Sequence, residues 1–172
     1  MVNKNRLVKE IVERADDIFL WVALVLKGLR DGLQYDNRLS SLLQRVKDMP
    51  MGVEPVIQHL LNSIDPLDCK AAYRTFAVVQ KLRDSDCLDM SLFRYTFLED
   101  HEANPNFTIE PDFRDSGADE VDIASRMEGA LARLNGQFKG LLEVRSDHNL
   151  WRGDFCPQSI TFTHRSVYDF IV

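Results

Sequence analysis

His164, Ser166 and Asp169 lie close together near the C-terminal end of the sequence. A histidine, a hydroxyl and a carboxylate are the parts of a base, a nucleophile and an orienting acid. All three fall at the start of one short helical pattern, and a single turn does not line three side chains up in series. Capping and packing are the roles expected of them, and no catalytic residue is assigned. Cys156, His148 and His164 carry metal-binding atoms, but their spacing matches no short ligand pair and the two histidines flank a polar loop. No metal site is expected. The chain has no GxxxxGK[ST] and no GxGxxG, so by itself it is neither a P-loop nor a Rossmann enzyme.

Arg126, Arg133 and Lys139 share one helical stretch, spaced by seven and then six residues and preceded by acidic residues. The formal net charge is -6, with Lys+Arg 21 against Asp+Glu 27. Nucleic-acid affinity comes mainly from clustered cations on phosphates, so a solvated helix face is the expectation here. Cys69 and Cys87 lie on or beside apolar helical faces and read as small hydrophobes. The cysteines number 3, without a CxxC pair, as for reduced thiols in an intracellular protein. Trp151 sits in a polar loop, either as an exposed contact or folded back onto neighbouring strands.

The elements that position these residues follow from hydrophobic spacing. Asp16 to Leu33 (DDIFLWVALVLKGLRDGL) is the organising stretch. Ile18, Phe19, Val22, Val25, Leu26, Leu29 and Leu33 recur at helical spacing, and Leu20, Trp21 and Leu24 make the opposite side apolar too. A helix greasy all round is expected to be covered on most of its circumference. Its uncharged run, Ile18 to Leu26, is far shorter than the roughly 20 residues that cross a bilayer. Leu7, Val8, Ile11, Val12 and Ala15 give an earlier helix, with a break at Ala15-Asp16-Asp17 where either aspartate can cap the next one.

Leu39, Leu42, Leu43 and Val46 mark a short helix closed by Pro50, and Val53 to Ile64 another, with Pro55 in its first turn and Asp65-Pro66 after it. A long helix runs from Leu67 towards Asp84 to Asp86, and a shorter one over Met90 to Leu98. Residues 99–122 carry Pro105, Pro111, Gly117 and many carboxylates and read as a long acidic loop. A helix from Ile123, with Met127, Leu131, Leu134 and Phe138 on one face, ends at Gly140. Leu141 to Val144 and Ser159 to Thr163 are β-like, and a last helix begins near His164. The fold class is mainly α: a small helical bundle followed by a winged-helix-like unit with a short β-hairpin. The sequence stops at Ile171 and Val172 within an amphipathic pattern, as in a piece of a longer protein.

Three patches in this order resemble one family. Phe19-Leu20-Trp21 and its helix look like the helix that follows the nucleotide-binding core in fungal NACHT proteins, NOD-like signalling NTPases of the STAND class. Met49-Pro50-Met51-Gly52-Val53-Glu54 with Leu60-Leu61-Asn62-Ser63-Ile64-Asp65-Pro66 resembles that family's next segment. Ile160-Thr161-Phe162-Thr163-His164-Arg165-Ser166-Val167-Tyr168-Asp169-Phe170 is similar to its F-x-H-R-x-V-x-D-F signature.

The resemblance implies a helical domain at 1–52 and a winged-helix-like domain at 53–172 with its acidic loop at 99–122. It implies a non-catalytic, cytoplasmic regulatory module controlling a nucleotide-dependent closed and open switch in fungal innate immunity. ATP or ADP would sit on an NTPase core outside this sequence, and none would be held by this segment itself. The implied partners are that core, C-terminal sensor repeats and further copies in the active state, with neither membrane nor nucleic acid. His164 takes the place of the Met-His-Asp histidine that contacts ADP phosphates, with Thr163 and Arg165 where that motif has Met and Asp. A structural histidine at a strand-helix junction is the other reading of this position. Asp17-Ile18-Phe19 stands where related switches have Gly-x-Pro, so no adenine contact is implied. Without the resemblance, the alternative is a winged-helix nucleic-acid-binding or adaptor module.

Overall fold

The computed structural model describes residues 4–16, 18–33, 38–85, 89–109, 120–146 and 158–171. Helices α1 (Lys4–Ala15), α2 (Phe19–Leu33), α3 (Leu39–Asp48), α4 (Val53–Asn62) and α5 (Cys69–Asp84) come first. They are followed by β1 (Met90–Ser91), α6 (Leu92–Tyr95), α7 (Leu98–Ala103), a 3-10 turn at Phe107–Ile109 and α8 (Glu120–Gln137). Strands β2 (Leu142–Ser146) and β3 (Gln158–Phe162) and helix α9 (Arg165–Ile171) complete the order. The protein is mainly helical with one small antiparallel sheet, as the hydrophobic spacing predicts.

Contacts group the chain into two compact units, one of residues 1–74, 135–142 and 162–172 and one of residues 75–134 and 143–161. The sequence reading divides the chain at 52/53 instead. The grouping follows packing: α4 touches α2 and α9, so it lies with the first helices.

In the first unit, α1, α2 and α3 pack on one another and α4 on α2. The break between α1 and α2 is where expected, but Asp16 serves it differently. Its backbone is left-handed, with φ 46°, and Ile18 N–H reaches back to the Ala15 carbonyl at 2.8 Å. Asp16 therefore closes α1, and Asp17, the other candidate cap, lies outside the described residues. The turn after α3 gathers both helices: Arg14 Nη2 donates to the Met49 carbonyl (2.5 Å) and Trp21 Nε1 to the Pro50 carbonyl (2.7 Å). Pro50 thus closes α3 and supplies the acceptor that a buried indole needs.

The buried side of α2 is Trp21, Leu24, Val25 and Leu29, with Gly28 close to Met49 and Leu60. Phe19 and Leu26, expected on the buried face, are instead 83% and 48% exposed. A helix apolar all round carries no polar stripe to say which side turns outward, so the expectation of near-complete cover fails for these two. In α4, Val56, Ile57, Leu60 and Leu61 are buried, and Pro55 stands in the first turn, where its missing N–H costs no helical bond. Asp65 Oδ1 accepts from Leu67 N–H at 2.9 Å and the Asp65 carbonyl from Cys69 N–H at 3.0 Å, so Asp65-Pro66 also begins α5.

In the second unit the expected Met90 to Leu98 helix is divided. Met90 and Ser91 pair antiparallel with Ile160 and Ser159, and α6 starts only after them. Ser91 is the divider: its extended backbone joins β3, and its Oγ accepts from Arg94 N–H at 3.2 Å as the cap of α6. Replacing Ser91 with alanine is expected to cost about 1 kcal/mol, read as a lower urea midpoint at unchanged m-value. The sheet order β1-β3-β2 puts β3 in the middle. A third strand therefore joins the expected hairpin, and helix, strand, helices, strand, strand is the winged-helix-like order.

The acidic stretch is not loop throughout. Glu99 and Asp100 lie in α7, and α8 already begins at Glu120. Phe97 is the hub of this region, edge-on to Phe93 at 5.1 Å and stacked with Phe107 at 5.9 Å. On α8, Ala130 and Leu134 are buried, while Leu131, expected beside them, is 38% exposed. Ala130 and Leu134 fix the inner side, and Leu131 falls one step round the helix from it.

Candidate functional site

The best-defined polar arrangement in the first unit joins α2 to the ends of α8, β2 and β3. Lys139 and Gly140 both take left-handed backbone, with φ 50° and 82°, and together end the helical path of α8. The reversal lets Leu141 N–H bond the Phe138 carbonyl (2.9 Å) and turns the Leu141 carbonyl to Thr163 N–H (3.1 Å). Thr163 Oγ1 donates to the Gly140 carbonyl at 2.6 Å. Lys27 Nζ then donates to that hydroxyl oxygen at 3.2 Å and to the Gly140 and Leu142 carbonyls at 3.4 Å each.

Gly140 is required twice over. A Cβ on it would meet the Lys27 stem at 2.8 to 3.2 Å, and its φ disfavours any L side chain. In the sequence Lys27 directly follows the uncharged run Ile18 to Leu26, and spacing alone assigns it no role. The available signal was that same interruption: a lone ammonium amid nonpolar neighbours, half-buried, has to find acceptors.

His164 follows directly. Its Nδ1 accepts from Ser166 N–H at 3.1 Å and stands 3.1 Å from Ser166 Oγ, and its carbonyl accepts from Val167 N–H at 3.0 Å. The histidine is thus the N-cap of α9, with a ring nitrogen in the role usually taken by Ser or Asp. A neutral ring that accepts at Nδ1 carries its proton on Nε2, and the side chain is exposed. This geometry describes the junction role directly. It also leaves a donor, Nε2–H, at the surface. Asp169 pairs with Arg165 Nε at 3.4 Å, and among the described residues the His164 ring meets Ser166 rather than Asp169. The histidine, serine and aspartate are therefore not brought into a base-orienter line.

The remaining sequence candidates separate. Cys69 is half-buried, with only a weak contact to the Ile64 carbonyl at 3.9 Å. Cys87, His148, Trp151, Cys156 and residues 110–119 lie outside the described residues. Among the described residues no group of three His, Cys, Asp or Glu could hold a metal ion, and no helix is long and apolar enough to cross a membrane.

The cations on α8 and just after its end have partners within the chain. Arg126 Nη1 meets Asp100 Oδ2 at 3.0 Å and its guanidinium stands 5.2 Å from the centre of the Phe97 ring. Arg133 Nε makes a longer ion pair with Glu99 at 3.9 Å. Lys139 Nζ donates to the Gly136 carbonyl at 3.0 Å. Carboxylates lie beside both arginines that a phosphate backbone would need, closely at Arg126 and at longer range at Arg133, which weighs against nucleic acid at this helix.

A family model described as Domain of unknown function (DUF7791) matches residues 63–172. No curated protein and no solved structure matches the chain.

Proposed function

The chain belongs to the family described as Domain of unknown function (DUF7791), and for this member we propose a non-catalytic role as the regulatory module of a NACHT-type signalling NTPase. In this reading the chain controls the closed and open states of a nucleotide switch whose P-loop core lies outside the sequence given. ATP or ADP belongs to that core, and the partners are the core itself, sensor repeats and further copies in the active state. The setting is the cytoplasm of a fungal cell.

One observation carries the reading: the first two patches that resemble the family and residues 162–170 of the third meet in one unit. Trp21 of the first patch donates to Pro50 of the second. Lys27, on the same helix, donates to Thr163 of the third, and α9 packs on α4. Segments that keep company in space as well as in order are what a shared architecture requires. His164 would offer its Nε2–H to a phosphate of the core's bound ADP, while its Nδ1 keeps the cap of α9.

The isolated chain is expected to show no nucleotide affinity tighter than about millimolar in a calorimetric titration with ATP and ADP, since a single exposed donor supplies little binding energy. Micromolar binding by this chain alone would contradict the proposal. In the full-length protein, His164→Ala is expected to speed release of bound ADP. Unchanged release would remove His164 from the reading while leaving the module intact.

A further inference from the structure

We infer that Lys27 works a latch: its ammonium fastens residues 162–171, the end of β3 and the whole of α9, to α2, and loss of that ammonium makes the segment open more readily while the remaining bundle stays folded. The segment also has an apolar hold, since α9 packs on α4 and Phe162 stands edge-on to Tyr168 at 5.7 Å. Phe162 and Val167 are buried, but Arg165 and Asp169 are exposed and the other residues of α9 only partly covered. Such a short helix does not persist in water on its own propensity, so it depends on what holds it down.

Lys27 holds it at one point. Its Nζ reaches Thr163 Oγ1, Gly140 O and Leu142 O, and thereby joins the first residue after β3 to the last turn after α8 and the first residue of β2. The Thr163 hydroxyl bridges the set, donating to the Gly140 carbonyl while accepting from the ammonium. Each of these three acceptors is a neutral oxygen, so the bonds are charge-assisted on the donor side. The lysine stem lies against Gly140, which restricts the head to this position.

The bundle on the other side of α2 is fastened separately, by Arg14 to Met49, by Trp21 to Pro50 and by the buried residues of α3 and α4. Breaking the Lys27 contacts therefore loosens one end of the unit selectively, leaving the buried Phe162 and Val167 in place. Local opening of this kind, with a free energy below that of global unfolding, is how a segment becomes a switch. The inference concerns the fold of this chain and does not rest on the nucleotide-switch reading, so either can fail without the other.

The test is hydrogen-deuterium exchange on the whole chain as wild type, Lys27→Met and Thr163→Val. Methionine keeps the stem and removes the charge, and valine keeps the shape and removes the bridging hydroxyl. Each variant is expected to raise exchange at the Thr163, Val167 and Tyr168 amides by about tenfold or more, the loss of a charge-assisted hydrogen bond. The amides of α3 should be unaffected. The double variant should exceed either single by less than the product of their effects, since both cut the same set. Unchanged exchange at 163–171, an equal rise across α3, or fully multiplicative effects would overturn the inference. Should Lys27→Met fail to fold, Thr163→Val decides alone on the first two criteria.

Discussion

Trp21→Ala is expected to lower the unfolding free energy by about 5 kcal/mol. A fully buried tryptophan cut to alanine costs about 3 to 5 kcal/mol through lost transfer energy and the cavity left behind. The Pro50 carbonyl, which accepts the indole N–H at 2.7 Å, adds about 1 kcal/mol or more where water does not reach it. Set against the roughly 5 to 15 kcal/mol of a whole domain, the loss brings the first unit to the edge of unfolding at room temperature. Urea titration followed by far-ultraviolet circular dichroism measures it. Trp21→Phe, which keeps most of the volume but not the donor, should lose about 1 to 2 kcal/mol. A loss below about 1 kcal/mol for the alanine variant would mean that α2 is not organised around this side chain.

Gly140→Ala is expected to cost about 3 kcal/mol and, more tellingly, to be partly rescued by a second change. Left-handed backbone with a Cβ costs about 1 to 2 kcal/mol whatever the surroundings. The rest is steric, since the new methyl would stand 2.8 Å from Lys27 Cδ, closer than carbon atoms tolerate, in a place where overpacking costs about 1 to 3 kcal/mol. Lys27→Ala removes the Cδ and Cγ contacts and leaves the Cβ contact at 3.0 Å. The double variant should therefore be more stable than the sum of the two single losses implies, by about 1 kcal/mol or more. Simple additivity in a urea-based double-mutant cycle would show that only the backbone conformation matters at this position.

These two residues illustrate how the fold could be read beforehand. Trp21 lay in the segment that hydrophobic spacing picked out, and Gly140 stood where a periodic pattern ended, which is the usual place for a left-handed residue. Both signals are local and need only the residue and its neighbours. Two-residue strand β1 was invisible for the opposite reason. Met90 and Ser91 are extended because Ile160 and Ser159, far along the chain, offer them a partner, and nothing in the four residues themselves announces it.

Glu99 and Asp100 are a similar case. In composition they belong to an acidic loop, but in space they answer Arg133 and Arg126 on a distant helix. The outward side of α2 failed for another reason: all-round apolarity contains no phase, so Phe19 and Trp21 looked alike until neighbours distinguished them. At the candidate site, His164 was legible as a helix start, whereas its tie through Thr163 to Lys27 was not. That tie joins positions remote in sequence, and only the topology brings them together.

The sheet order has a consequence for how this protein behaves in concentrated solution. With β3 in the centre and β1 covering it for only two residues, β2 is a border among the described residues, and the outer backbone groups of such a strand invite a strand from a stranger. Its alternate positions Glu143 and Arg145 carry opposite charges 2.7 Å apart. A visiting strand would have to lie beside that ionic pair and strip its water, so the border resists fibrous stacking by its own chemistry.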